Sequence, residues 1–262
     1  MAKLLASSER GIYRIHILDV LRDLFERIID AMSFAAFVFI ALIGIYALID
    51  AHRVDESAKL DSEVEKISEV ITEDVDNSFA TLKTINPDIV AWLRLDETSI
   101  DYPVVWSDND DNTKYINRNF RGEYATAGSI FVDYRNYALN DKYTVIYGHR
   151  MSGNRMFSDI AKYMDADFFN THRTGILVTE KVTYNLEVIL SARPNVMRAQ
   201  IYNLTSNRNA GYSKIYDILK DDVTQIRAIE VGDDEKLLLL STCDKDASHF
   251  RNIILVRATP QE

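Results

Sequence analysis

The sequence predicts a mainly β fold, a closed or nearly closed barrel, preceded by a helical extension and one membrane-crossing helix. Three observations carry this. Nine short segments, at 89–95, 99–105, 129–133, 143–147, 175–179, 183–191, 225–231, 236–242 and 252–257, are rich in β-branched, aromatic and leucine residues, which fit a pleated, half-buried surface. Only residues 156–164 and 212–220 hold a helical pattern among them, too few helices to cover a sheet built from crossover units. Residues 31–49 form a nineteen-residue run without charge, flanked by Asp30 and Asp50, and at about 1.5 Å per residue that length crosses a hydrocarbon core.

Taken in order, residues 1–30 place Ile12, Ile15, Leu18, Leu21, Leu24 and Phe25 at helical spacing, an amphipathic segment for a membrane surface or for partner helices. The run 31–49 lacks a small-residue cleavage site after it and reads as a retained signal anchor. Five Lys/Arg precede it and three follow within twenty residues of Asp50, a bias toward an internal N-terminus and an extracytoplasmic remainder. In residues 50–85, Val54, Leu60, Val64, Ile67, Ile71 and Val75 keep a helical period, as a stalk or as a helical extension packed on the domain. Asn86-Pro87-Asp88 breaks that pattern and opens a single domain over residues 86–262. Within it, the 212–220 helix sets Tyr212, Ile215, Tyr216 and Leu219 on one face, just before the last strands. The net charge of −10 argues against a nucleic-acid partner.

The chain has one cysteine. Leu237 to Leu240 run through Ser241 and Thr242 into Cys243, a buried strand that delivers a thiol at its end. The apolar run after Arg251 is a neighbouring antiparallel strand, so Cys243 leaves one strand as Arg251 enters the next. Directly opposed residues on such strands sit about 4.5–5.5 Å apart at Cβ. A lone cysteine after a leucine run is equally a small apolar core residue. As a nucleophile it needs a base or cation nearby, because an ordinary thiol is only a few per cent ionised at neutral pH. His149 ends the 143–147 strand after Gly148 and is the candidate base; His172 and His249 read as loop residues, and His16 and His52 fall beside the apolar run. Arg251 reads either as a surface arginine or as a fork that donates to an acyl oxyanion or to the substrate backbone.

With these residues in view the chain resembles the sortase family, and class B sortases in particular. The resemblance rests on Leu240-Ser241-Thr242-Cys243 with Arg251 eight residues on, Ile146-Tyr147-Gly148-His149 followed by Met151, and Ile100-Asp101-Tyr102-Pro103-Val104-Val105. Gly128-Ser129-Ile130-Phe131-Val132-Asp133-Tyr134-Arg135-Asn136 and Asn86-Pro87-Asp88 before Ala91-Trp92-Leu93 complete it, over roughly residues 80–257. It implies an eight-stranded barrel with an N-terminal helical extension and a helix before the penultimate strand, placed here at 212–220. It implies Cys243 as nucleophile, His149 as acid/base and Arg251 as the residue that holds substrate and oxyanion. Ser241, Thr242 and Asp244 beside the thiol, with Tyr212 and Tyr216, are the candidate substrate-binding residues.

The activity so implied is that of a membrane-anchored cysteine transpeptidase of Gram-positive bacteria, without metal or organic cofactor. Its partners would be surface proteins with a C-terminal sorting motif and an amine of a cell-wall precursor or pilin. The alternatives are a thiol peptidase that mainly hydrolyses and a non-catalytic, membrane-tethered binding domain on the same scaffold. Two positions depart from the family's pattern: Leu239 stands where its TLxTC motif begins with threonine, and Lys245 stands at a proposed acidic helper, flanked by Asp244 and Asp246.

Overall fold

The computed structural model describes residues 2–57, 62–108, 114–151, 153–197, 200–243 and 249–261; for 2–20, 54–57, 62, 63 and 243 the description extends to the backbone. Two compact units divide at residue 53, Met1–Arg53 and Val54–Glu262. The first is nearly all of one continuous helix, α1 (Ala2–Ser57), so the expected segment boundaries at 30/31 and 49/50 are not marked by breaks. Within it Leu21–Arg53 holds a stretch of mean hydropathy 2.5, none of it buried in the protein. It is a candidate membrane anchor by length and composition.

The second unit begins with α2 (Ser62–Val70) and α3 (Val75–Ile85). Asp74 caps α3, its carboxylate accepting from the backbone N–H of Asn77, which satisfies one of the donors a helix start leaves open. Nine strands follow: β1 (Ile89–Leu95), β2 (Asp101–Val105), β3 (Ile130–Val132), β4 (Tyr143–Tyr147), β5 (Thr174–Thr179), β6 (Thr183–Ala192), β7 (Val223–Ile226), β8 (Lys236–Cys243) and β9 (Arg251–Pro260). Eight of them close a ring in the order β5-β1-β2-β3-β4-β8-β9-β6, sealed by the β5–β6 pairing; β7 adds to β6 outside it. The neighbours are antiparallel except β2–β3 and β4–β8, which are parallel. The last strand-like segment before β8 was expected at 225–231; only its start pairs, as Gln225 and Ile226, and the Gly232 region that follows is irregular.

A strand alternates its faces, and this barrel covers both. Leu238, Leu240, Ile254 and Val256 point into the barrel with Leu93, Val104 and Ile146. Leu237, Leu239, Ile253 and Leu255 point outward, under Ile201, Leu204, Ile215 and Leu219. Leu204 belongs to α5 (Leu204–Asn207), and Ile215 and Leu219 to α6 (Tyr212–Leu219). The four consecutive leucines therefore read as apolar on every position because both faces are covered. A third cluster joins Val64, Ile67, Ile71, Phe79 and Leu82 of α2 and α3 and the turn between them to Ile89, Trp92 and Phe131, so the helical extension packs on the barrel. Asp101 fastens it: its carboxylate accepts from Ser68 Oγ and Trp92 Nε1, each at 2.5 Å, and pairs with Arg94 at 3.2 Å. The 156–164 helix is a 3-10 helix over Ser158–Met164, followed by α4 (Ala166–Thr171), which has no amphipathic period long enough to read in advance.

Candidate active site

Three adjacent strands carry the three candidate catalytic positions off their ends. β4 and β8 pair in parallel from Tyr143 opposite Leu237 to Tyr147 opposite Ser241, and the Gly148 N–H extends the ladder to the Ser241 carbonyl at 3.2 Å. His149 comes two residues after Tyr147, and Cys243 two residues after Ser241, at the end of β8. On the other side of β8, Cys243 pairs directly with Arg251, the opposition expected from the sequence. The two-residue period sets Arg251 on the outer face that also holds Ser241 and Ile253. The thiol position is thus the middle of a row, with a histidine on one side and an arginine on the other.

A cleft of about 210 Å³ opens over this row, lined by Ile116, Phe131, Tyr147 and His149 on one side and by Ser241, Thr242 and Arg251 on the other. His149 is half-buried, and its Nε2 lies 2.7 Å from the Ile116 carbonyl oxygen. A carbonyl only accepts, so Nε2 carries the proton and Nδ1 is the basic nitrogen of the neutral ring. Gly128 makes this approach possible. Its φ is +61°, and a Cβ there would meet the Ile116 oxygen at 2.4 Å, the Tyr115 oxygen at 2.8 Å and His149 Cδ2 at 3.0 Å. Behind Ile116, Tyr115 donates to Asp88 and accepts from the Asn86 amide at 2.9 Å. The Asn86-Pro87-Asp88 motif therefore holds the segment that holds the histidine.

The cleft's floor is aromatic. Tyr147 packs on Phe131 with centroids 5.4 Å apart and stacks on Tyr202 at 6.2 Å. Tyr202 shares a hydrogen bond of 2.9 Å with Ser241, and Tyr147 donates to the fully buried Asp133 at 3.0 Å. Burial, reinforced by the Asp133 charge, holds the Tyr147 hydroxyl well above its ordinary pKa. On the far side, Arg251 donates from Nη1 to the Phe250 carbonyl at 3.0 Å, and its N–H bonds Pro194.

Of the sequence-derived substrate candidates, Ser241 and Thr242 line the cleft and are each 2% exposed. Asp244, like Lys245 and Asp246, lies outside the described residues. Tyr212 and Tyr216 stack on each other at 5.8 Å on α6 and pack against the outer core; neither is among the cleft's lining residues. The N-terminus of α6 is anchored near Asp233, which accepts from the Ser213 N–H, at the opposite end of β8 from Cys243. His172 is stacked on Phe168 at 3.7 Å and closes α4, a structural role. The sequence reading did not single out Ile116 or Tyr202. Tyr147 and Phe131 stood inside quoted motifs, but nothing in their spacing marks them as the cleft's walls.

Residues 93–261 match the family model described as the sortase domain. The chain is 30% identical to a sortase B of Listeria monocytogenes over 187 residues, 70% of this chain and 74% of that one. Among solved structures it resembles a Streptococcus pyogenes class B sortase involved in pilus biogenesis, with a TM-score of 0.62 and 31% identity over 69% of this chain and 97% of that one. It also resembles a Staphylococcus aureus sortase B–substrate complex, with a TM-score of 0.65 and 25% identity over 76% and 93%.

Proposed function

Since the chain belongs to the sortase family of cysteine transpeptidases, with class B sortases as its structural neighbours, we propose that Cys243, His149 and Arg251 are its catalytic residues. The Cys243 thiol passes its proton to Nδ1 of the neutral His149 ring, and the resulting thiolate attacks the scissile carbonyl of a sorting motif. Arg251 donates to the oxyanion that forms, a task for which its planar, permanently charged fork is suited. As the tetrahedral species collapses, His149 passes a proton from Nδ1 to the leaving amine, and a thioester remains on Cys243. An incoming amine then attacks the thioester, His149 takes its proton, and the thiolate departs from a new amide bond. The observation that carries this reading is one cleft lined by both His149 and Arg251, with Arg251 paired directly opposite position 243 on the neighbouring strand.

The substrates in this reading are surface proteins with a C-terminal sorting motif, and the acceptor is an amine of a cell-wall precursor or pilin. The α1 helix anchors the enzyme in the membrane with the barrel on the extracytoplasmic side, where the Lys/Arg bias before the apolar run points. Ser241 and Thr242 contact the substrate beside the thiol, with Asp244 next to them. Tyr212 and Tyr216 act on the outer layer that supports β8. The test is a peptide-library cleavage assay with the full chain in detergent, with product masses measured with and without added amine. New amide products that appear only with amine support transfer; water-cleaved acids in undiminished yield under saturating amine would assign hydrolysis instead.

A further inference from the structure

A second cleft, of about 390 Å³, lies on the barrel away from the thiol row, and its lining includes Trp106, Asp108, Tyr134, Arg135, Tyr137 and Arg208. No step of the thiol chemistry uses it. Its size falls at the lower end of the range of small-ligand sites, about 300–1,000 Å³. Three aromatic rings in one small cleft supply flat apolar faces with polar edges. Trp106 is half-buried, its indole N–H directed at the Tyr134 carbonyl at 3.4 Å. Tyr137 is 60% exposed, so its ring face is open to a ligand at the cleft.

The backbone that presents Tyr137 is strained. Ala138 and Leu139 follow it with φ of +43° and +73°, a conformation that non-glycine residues hold only when their surroundings enforce it. The enforcing group is the fully buried Asn136. Its amide donates to Asp141 and to the Tyr143 carbonyl, each at 2.9 Å, and its oxygen accepts from the Val145 N–H. Arg208 lies 5.3 Å from the Tyr137 ring centre, a cation–π arrangement that holds the ring upright at the cleft's rim.

The charges decide the ligand class. Arg135 is bound as a two-pronged fork to Asp133, at 2.8 and 2.7 Å, and is neutralised by it. Among the described lining residues that leaves one guanidinium, Arg208, and one exposed carboxylate, Asp108, a balance that favours neither an anion nor a cation. A carboxylate that accepts, a guanidinium that donates and aromatic faces between them fit a neutral polyhydroxylated ring. Its hydroxyls supply donors and acceptors, and its C–H faces lie flat on the aromatic rings. We infer that this cleft binds the pyranose ring of a neutral saccharide, a hexose or N-acetylhexosamine unit, independently of the thiol site.

The two tryptophans make the test direct, because Trp92 is fully buried and Trp106 is not. In the full chain in detergent, labelled at nitrogen, the two indole N–H signals are followed during titration with N-acetylglucosamine oligomers and, separately, with inorganic phosphate. The Trp106 signal shifts saturably with the saccharide and not with phosphate, while the Trp92 signal stays in place and reports an intact fold. Tyr137→Ala and Arg208→Gln each weaken the saccharide binding by about tenfold or more and leave sorting-peptide cleavage within about twofold of wild type. A Trp106 signal that does not move, that moves as much with phosphate, or that titrates unchanged in both variants overturns the inference. None of these outcomes touches the assignment of the thiol site, which is read from cleavage.

Discussion

Replacing Gly128 by alanine tests whether the hold on His149 is physical. The residue sits at φ +61°, where an L side chain costs about 1–2 kcal/mol, and its Cβ would stand 2.4 Å from the Ile116 oxygen and 2.8 Å from the Tyr115 oxygen. Both neighbours are backbone, so they cannot rotate away. Overpacking of this kind adds about 1–3 kcal/mol, for a total near 3 kcal/mol, or roughly 6–12 °C in Tm for a domain of this size. Gly122 provides the control: its φ is +85°, and a Cβ there meets nothing within 4 Å. Gly122→Ala carries the backbone strain alone. The displaced Ile116 carbonyl also releases the His149 ring, and loss of alignment on the scale of 1 Å costs about 10²-fold in rate. Thermal melts and kcat for sorting-peptide cleavage are measured on both variants. Gly128→Ala is expected to melt lower than Gly122→Ala and to lose kcat, while Gly122→Ala keeps it. Equal melting temperatures with equal kcat would show that the Ile116–His149 contact does not position the base.

His149→Ala is expected to lose at least about 10²-fold in kcat, the range of general acid–base catalysis, with His172→Ala and His249→Ala mild; an equal loss in His249→Ala would move the base. Arg251→Lys is expected to fail nearly as badly as Arg251→Ala, by about 10²–10³ in kcat, because a point charge cannot replace a directional fork; retention of more than about a third of wild-type kcat would reduce its role to charge alone. Lys236 offers a pH test. Burial, opposed in part by Asp141, lowers its pKa from 10.5 to about 8, and its Nζ donates to the carbonyls of Leu139 and Asp141. Between those pH values the unfolded chain binds a proton that the folded chain does not, so this group's contribution to stability rises from about pH 8 toward 10.5, by on the order of 3 kcal/mol. Urea midpoints at pH 7.5 and 9.5 are expected to show about 2 kcal/mol of that gain in the wild type and not in Lys236→Met; parallel pH profiles would contradict it.

The strand content was legible because each strand carries its own local signal. The four-leucine run, the Cys243–Arg251 opposition and the Tyr143–Tyr147 strand that ends before Gly148-His149 were all readable from composition and spacing, and the structure places them in register. What was not legible depends on contacts between distant segments. Ile116 reaches His149 only because Asn86 and Asp88 grip Tyr115 from some thirty residues away, and no periodicity encodes that. Tyr202 meets Ser241 across 39 residues from a short 3-10 turn without a helical period. Tyr212 and Tyr216 were placed by proximity in sequence to the last strands. The helix that carries them starts beside Asp233, just before β8, and packs on the outer face of the barrel.

The central claim is a covalent one, and intact-protein mass spectrometry tests it most directly. The full chain is mixed with a sorting peptide without added amine and quenched in acid. The expected product is an adduct equal in mass to the peptide's N-terminal acyl fragment, carried by the peptide that contains Cys243, discharged when an amine is added, and absent from Cys243→Ala, which keeps the fold because alanine is close in volume. Cleavage at the wild-type rate in Cys243→Ala, or an adduct that maps to any other residue, would contradict it.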